Sequence, residues 1–151
     1  MKMSRAVLSV GLAFGVCGAA WAGAPATGLG QKWPNAADLS RSPHYHVYTF
    51  LQNGVRFIQV NGSDGTILGA IGTGGGEFIV LPIGNAAQVS TPQQSATAST
   101  AVPAAAPTTV YNDGATTVTA TPMSDGTTAL VTSSICSDPA ICGGHAVKQI
   151  Q

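Results

Sequence analysis

The chain contains three histidines and a C-terminal pair of cysteines that could bind a metal ion. His44 and His46 are two positions apart, so on a strand both side chains share one face. His145 follows Cys136 and Cys142 near the end of the sequence. Zinc and copper sites use imidazole and thiolate ligands and need three or four of them. One hypothesis is therefore a metal site formed by His44, His46 and His145. The alternative is a pair of half-exposed histidines at a sheet edge.

The cysteine spacing favours a disulfide over a redox centre. Five residues separate Cys136 from Cys142, which differs from the C-x-x-C spacing of thioredoxin-like proteins. In an oxidising compartment such a close pair most often forms a disulfide. The enclosed loop is short, so we predict a bridge that stabilises only the local turn.

The sequence carries no catalytic signature. It contains neither G-x-S-x-G nor S-x-x-K, and Glu77 is the only glutamate. Three aspartates each precede a glycine, which is typical of turns: Asp64, Asp113 and Asp125. We predict a protein that is not an enzyme and uses no cofactor.

The stretch "GAIGTGGGEFIVLPIG" (Gly69–Gly84) raises the alternative of a phosphate-binding loop. Such a loop requires a helix after its glycines, because the helix N-terminus supplies the N–H groups. Here "EFIVLPI" follows, with Pro82 and no helical period. We therefore interpret a group of glycines as a hairpin turn that needs positive φ: Gly72, Gly74, Gly75 and Gly76.

The first 22 residues have the layout of a secretory signal peptide. Lys2 and Arg5 precede an uncharged stretch from Ala6 to Ala20, and "AWA" then predicts cleavage between Ala22 and Gly23. The apolar stretch is shorter than the roughly 20 residues of a membrane span. We predict a periplasmic or secreted mature chain without a transmembrane segment.

The charge of the mature chain excludes a nucleic-acid partner. Four basic and six acidic residues remain after position 22, for a net charge of −2. Scattered cations in such small number form no basic surface for phosphates. The expected partner is an unknown protein or another component of the cell envelope.

The arrangement of strand-like runs and turns predicts a mainly β fold. Residues 23–43 are expected to be irregular, and residues 44–84 contain four β-branched or aromatic runs separated by Asn-Gly, Asp-Gly and Gly-Gly turns. This pattern predicts a four-stranded antiparallel meander. Residues 85–109, rich in Pro, Ala and Thr and free of charge, are typical of a linker. Residues 110–151 are predicted to form a small second Thr-rich β segment that ends in the disulfide loop.

Both faces of the predicted meander are apolar. Phe57, Ile79 and Leu81 are expected on one face, opposite a set on the other: Ile58, Val60, Phe78 and Val80. Large apolar patches rarely stay in water. We therefore expect the second β segment to cover one face, or the sheet to self-associate.

The run "NGVRFIQVNGSDGTILGAIGTGGGEFIVLPIG", followed by "VSTPQQ", resembles small exported proteobacterial proteins without an assigned function. That resemblance implies the same fold and an envelope or secreted location, and it brings no catalytic residue. The sequence as a whole favours an exported, non-enzymatic β-module for binding or assembly. A periplasmic metal-binding protein and a surface protein with a stalk-like linker are the alternatives.

Overall fold

The computed structural model describes residues 25–97 and 99–134. Its strands confirm the mainly β class and the four-stranded meander. In chain order they are β1 (Tyr45–Gln52), β2 (Val55–Gly62), β3 (Ile67–Gly74), β4 (Glu77–Gly84), β5 (Val89–Ser90), β6 (Thr108–Asn112), β7 (Thr116–Pro122) and β8 (Thr128–Ser134). The only helical element among the described residues is a 3-10 turn at Ala86–Gln88.

The first sheet contains β1 to β4 in sequence order, all antiparallel. Tight turns at Asn53–Gly54 and around Gly65 place residues at positive φ, as Asn-Gly and Asp-Gly pairs favour. The glycine-rich turn has positive φ only at Gly75 and Gly76. The expectation was wrong for the other two glycines, which lie within β3.

The second sheet has the order β5-β8-β7-β6. Strands β6 to β8 form an antiparallel meander with turns at Gly114 and Gly126, both at positive φ. A register shift between Thr109 and Tyr111 allows the adjacent residues Val110 and Tyr111 both to be buried in the core. The two-residue β5 pairs in parallel with β8.

The hydrophobic core lies between the two sheets. Ile58, Val60 and Phe78 of the first sheet are buried there, and Val80 packs against them. The second sheet supplies a matching apolar set: Val89, Val110, Tyr111, Val118, Ala120 and Leu130. We call this side of the first sheet its inner face and the opposite side its outer face. The second β segment therefore covers one face of the meander. The four residues expected to share a face lie on the inner one, and Phe57 and Ile79 lie together beside Gly72.

The segment that resembles a linker differs from that expectation. Val89 is buried, with 1% exposure, and β5 extends the second sheet. Beyond it, the Thr97 amide donates to the Ala87 carbonyl, and the Phe78 amide at the edge of β4 donates to the Gln93 side chain. Farther along, the Ala104 amide donates to the Pro122 carbonyl. Val89 is part of the hydrophobic core, and the residues around it are held by hydrogen bonds to the rest of the protein. The segment therefore packs along the sandwich despite its low-complexity composition.

The irregular N-terminal segment closes the opposite side of the sandwich. We call residues 38–41 the strap. The Leu39 amide donates to the Val47 carbonyl of β1 at 2.7 Å, and the Arg41 amide donates to the Val110 carbonyl of β6 at 2.8 Å. The strap thus joins the edge strands of both sheets, and it occupies edge groups that could otherwise pair with another chain. The described part of the chain contains no helix able to cross a bilayer.

Candidate ligand-binding surface

Two buried amide side chains on β2 hold the N-terminal segment against the outer face. Gln59 and Asn61 are both 0% exposed and lie two positions apart on the same face. Gln59 accepts a hydrogen bond from the Gly30 amide at 2.7 Å and donates to the Gln31 carbonyl at 2.8 Å. Asn61 donates to the Lys32 carbonyl at 2.6 Å, and Gln59 donates to the Asn61 side chain at 2.9 Å.

This pair of amides fixes the backbone that precedes a surface tryptophan and the turn against which that tryptophan packs. Asn61 also donates to the Gly65 carbonyl at 3.3 Å. The Trp33 indole lies against Gly65, where a Cβ atom would come within 2.7 Å of the ring. The absence of a side chain at Gly65 therefore allows the indole to pack closely on the backbone, yet Trp33 remains 56% exposed. We call this packing the Gly65 seat.

An oriented histidine borders the tryptophan. The His46 ring meets Trp33 edge to face, with centroids 5.2 Å apart, and stacks on Tyr48. His46 Nδ1 lies 2.7 Å from Asp38 Oδ2, while Asp38 Oδ1 accepts hydrogen bonds from the Val47 and Ser40 amides. Asp38 is thus fixed by three contacts and sets the direction of the imidazole. We call Trp33, Asp38 and His46 the Trp33 surface.

The electrostatics of this surface keep Asp38 ionised. Partial burial would raise the pKa of Asp38, but hydrogen bonds from the Val47 amide, His46 and the Ser40 amide lower it below its usual value overall. The pKa of Tyr48 is raised by burial and by the charge of Asp38. The histidine faces an ionised carboxylate, so its Nδ1 is the protonated nitrogen, and the surface can offer Nε2 as the second ring position.

The structure describes only part of the predicted metal site. His46 lies in β1, whereas His44 precedes the strand and is exposed. His145, Cys136, Cys142 and the cleavage site at Ala22 and Gly23 lie outside the described residues. Within those residues there is no group of three or more histidine, cysteine, aspartate or glutamate side chains placed to hold a metal ion.

A second polar cluster joins the two sheets at one end of the sandwich. Arg56 of β2 forms an ion pair with Asp113 in the β6–β7 turn, and the Tyr111 hydroxyl donates to the same carboxylate at 3.1 Å. Partial burial opposes ionisation of Asp113, but amide hydrogen bonds from Thr116 and Ala115, the Tyr111 hydroxyl and the Arg56 charge lower its pKa overall.

An open cleft of about 550 Å³ lies beside this cluster. Leu39, Leu51 and Phe50 line it together with Arg56 and Tyr111. Leu51 is 72% exposed. Arg56 is already engaged by Asp113, so the cleft offers mainly apolar contact and a structural ion pair.

Comparison with known proteins identifies no relative. No family model, no curated protein and no solved structure matches the chain.

Sequence reasoning considered His46 but missed Trp33, Asp38, Gln59 and Asn61. A signal for the amides was present, because Gln59 and Asn61 alternate with apolar Ile58 and Val60 on β2. Such alternation normally indicates a face in water. Here the polar face is buried by backbone instead, and no local pattern marks that arrangement.

Proposed function

We propose that the protein is an exported, non-enzymatic β-module that binds a component of the cell envelope, in the periplasm or outside the cell. The observation that carries the proposal is the Trp33 surface. A half-exposed indole is held in place by two fully buried amides, Gln59 and Asn61. Export rests on the signal-like first 22 residues.

The two buried amides determine how the N-terminal segment lies on the outer face. A buried amide without hydrogen bonds is costly, so Gln59 and Asn61 restrict this face to one arrangement of residues 30–32. Apolar side chains at both positions would cover the sheet without this restriction. The arrangement instead pre-organises an exposed aromatic group, and pre-organisation lowers the entropic cost of binding.

The edges of the sandwich favour binding through this surface rather than strand addition. The strap occupies the edges of β1 and β6, Gln93 caps the Phe78 amide of β4, and Pro82 has no N–H to offer. A partner therefore gains more from side chains such as Trp33 than from backbone pairing.

Two measurements test the proposal. Intact-mass analysis of protein isolated from its native host should give a chain that begins at Gly23, in a periplasmic or extracellular fraction. The purified protein should then sediment with envelope preparations, and Trp33→Ala should lose this binding. Ile79→Ala is the matched control, because Ile79 is a comparably exposed apolar residue, at 57%, on the first sheet and outside the Trp33 surface. Retention of residues 1–22 in a cytoplasmic chain would refute export, and equal sedimentation of both variants would refute the role of the surface.

A further inference from the structure

We propose that the Trp33 surface binds the apolar face of a sugar ring, with the indole as the stacking platform and His46 as a hydrogen-bonding group at its border. This inference rests on the proposed binding function and names the class of ligand. Its occupant is a neutral saccharide, either free or as part of a glycan polymer.

The indole has the properties that a sugar platform requires. One side of Trp33 is seated on Gly65 and its ring contacts His46, while 56% of the residue stays exposed. The C–H groups on one face of a pyranose pack against such a flat aromatic surface, and a rigid aromatic loses little conformational entropy on binding. The seat on Gly65 and the fixed carbonyl of Lys32 supply that rigidity.

Unused polar groups surround the platform. Among the described residues neither Trp33 Nε1 nor His46 Nε2 has a hydrogen-bond partner, while the His46 side chain is 28% exposed. Trp33 Nε1–H is a donor, and His46, with Nδ1 directed to Asp38, presents Nε2 as a second hydrogen-bonding position. Sugar hydroxyls both donate and accept, so one ring can use both groups.

The charge balance of the surface favours a neutral ligand. Asp38 is satisfied by His46 and two backbone amides. Asp64, next to the Gly65 seat, accepts hydrogen bonds from the Thr66 amide and hydroxyl, and the Lys32 charge lowers its pKa further. Among the described residues, both carboxylates near the indole are thus engaged by hydrogen-bond donors, whereas a cation would be better served by an exposed tryptophan beside unpaired acids.

Tryptophan fluorescence gives a direct assay. The sequence contains only Trp21 and Trp33, so the full chain with Trp21→Phe reports on Trp33 alone, with or without the first 22 residues. The probes are chitotriose, cellotriose and maltotriose, with choline chloride as a cation probe. Insoluble chitin, cellulose and peptidoglycan sacculi serve as polymer probes in a sedimentation assay.

We expect at least one saccharide to shift Trp33 emission in a saturable way. By calorimetry, Trp33→Ala should weaken that binding by at least about tenfold, which corresponds to about 1.4 kcal/mol. Trp33→Phe should restore part of the loss, His46→Ala should weaken binding about fivefold, and Ile79→Ala should leave it unchanged. Circular dichroism spectra of all variants should be the same.

The probes distinguish free sugar from glycan polymer, and they distinguish a wrong ligand class from a wrong proposed function. Binding of trisaccharides alone identifies free sugar, and binding of sacculi, chitin or cellulose identifies a glycan polymer. A shift with choline but with no saccharide overturns the inference, as does the absence of any saccharide binding. If envelope sedimentation still depends on Trp33 in that case, the proposed function stands and only the ligand class is wrong.

Discussion

Replacement of Gly69 by alanine tests whether residues 86–90 belong to the core. Gly69 lies on the inner face of β3, where an added Cβ would come within 2.7 Å of Val89 Cγ2 and 3.0 Å of Leu130 Cδ1. Carbon atoms in contact normally lie about 3.5–4.0 Å apart. The alanine methyl therefore overlaps Val89 by close to 1 Å, and both neighbours are buried.

The expected magnitudes follow from packing. Overpacking of this kind costs about 1–3 kcal/mol, and the lower chain entropy of alanine in the unfolded state offsets about 0.4–1 kcal/mol. Gly69→Ala should thus lower the free energy of unfolding by about 1–2 kcal/mol. Val89→Ala removes two buried methyl groups, at about 0.8 kcal/mol each plus a cavity term, for a loss of about 2 kcal/mol. The space left by Val89 then accommodates the new methyl, so the double variant should be about 1–2 kcal/mol more stable than the sum of the single effects.

Urea unfolding followed by circular dichroism measures all four proteins of this cycle. Gly74→Ala, also in β3, is the matched control, because its Cβ would meet nothing closer than 3.8 Å and it should not lower stability. Additivity within about 0.5 kcal/mol would mean that Val89 does not lie over Gly69. Residues 86–90 would then be the undocked linker that their composition suggests.

Three further predictions concern polar groups. Asp113→Asn should lower stability near neutral pH by about 0.5–1 kcal/mol, because the partner Arg56 is half exposed. Folding lowers the pKa of Asp113, so this carboxylate stabilises the folded protein fully at pH above its unfolded pKa, near 4. That stabilisation is lost as the pH falls through the lower folded pKa. The free energy of unfolding should therefore change less with acid pH in Asp113→Asn than in the parent protein. Thr132→Val should raise the unfolding free energy by about 1 kcal/mol, because within the described chain the buried Thr132 hydroxyl has no partner; destabilisation would reveal a hidden one. Asn61→Leu should make Trp33 more accessible to acrylamide quenching, and unchanged quenching would show that the amide does not hold the loop.

The local parts of the fold were predictable because local signals encode them. The Asn53–Gly54 and Asp64–Gly65 turns indicated the strand boundaries of the first meander, and alternation assigned Ile58 and Phe57 to opposite faces. The docking of Val89 was not predictable, because β5 pairs with β8 across about forty residues and its two residues carry no strand signature.

The candidate site was less predictable than the fold. Its elements come from the irregular N-terminal segment, β1 and β2, and the link between Asp38 and His46 exists only once the strap lies on the edge of β1. Asp38 is not followed by a glycine, so the sequence does not indicate a turn there, as it does at Asp64. Nothing in the sequence, however, identifies His46 as the hydrogen-bond partner of Asp38.

The strap and strand β5, which close the two sides of the sandwich, have a consequence for the order of folding. Each meander forms from neighbours in sequence, whereas the contact of Arg41 with Val110 and the pairing of Val89 with Leu130 join distant parts of the chain. Contacts of long sequence separation form slowly because loop closure must precede them. We therefore expect the two meanders to assemble first and these two long-range contacts last. The Asp38–His46 contact joins residues only eight apart, so it can form with the first meander, before Arg41 reaches Val110.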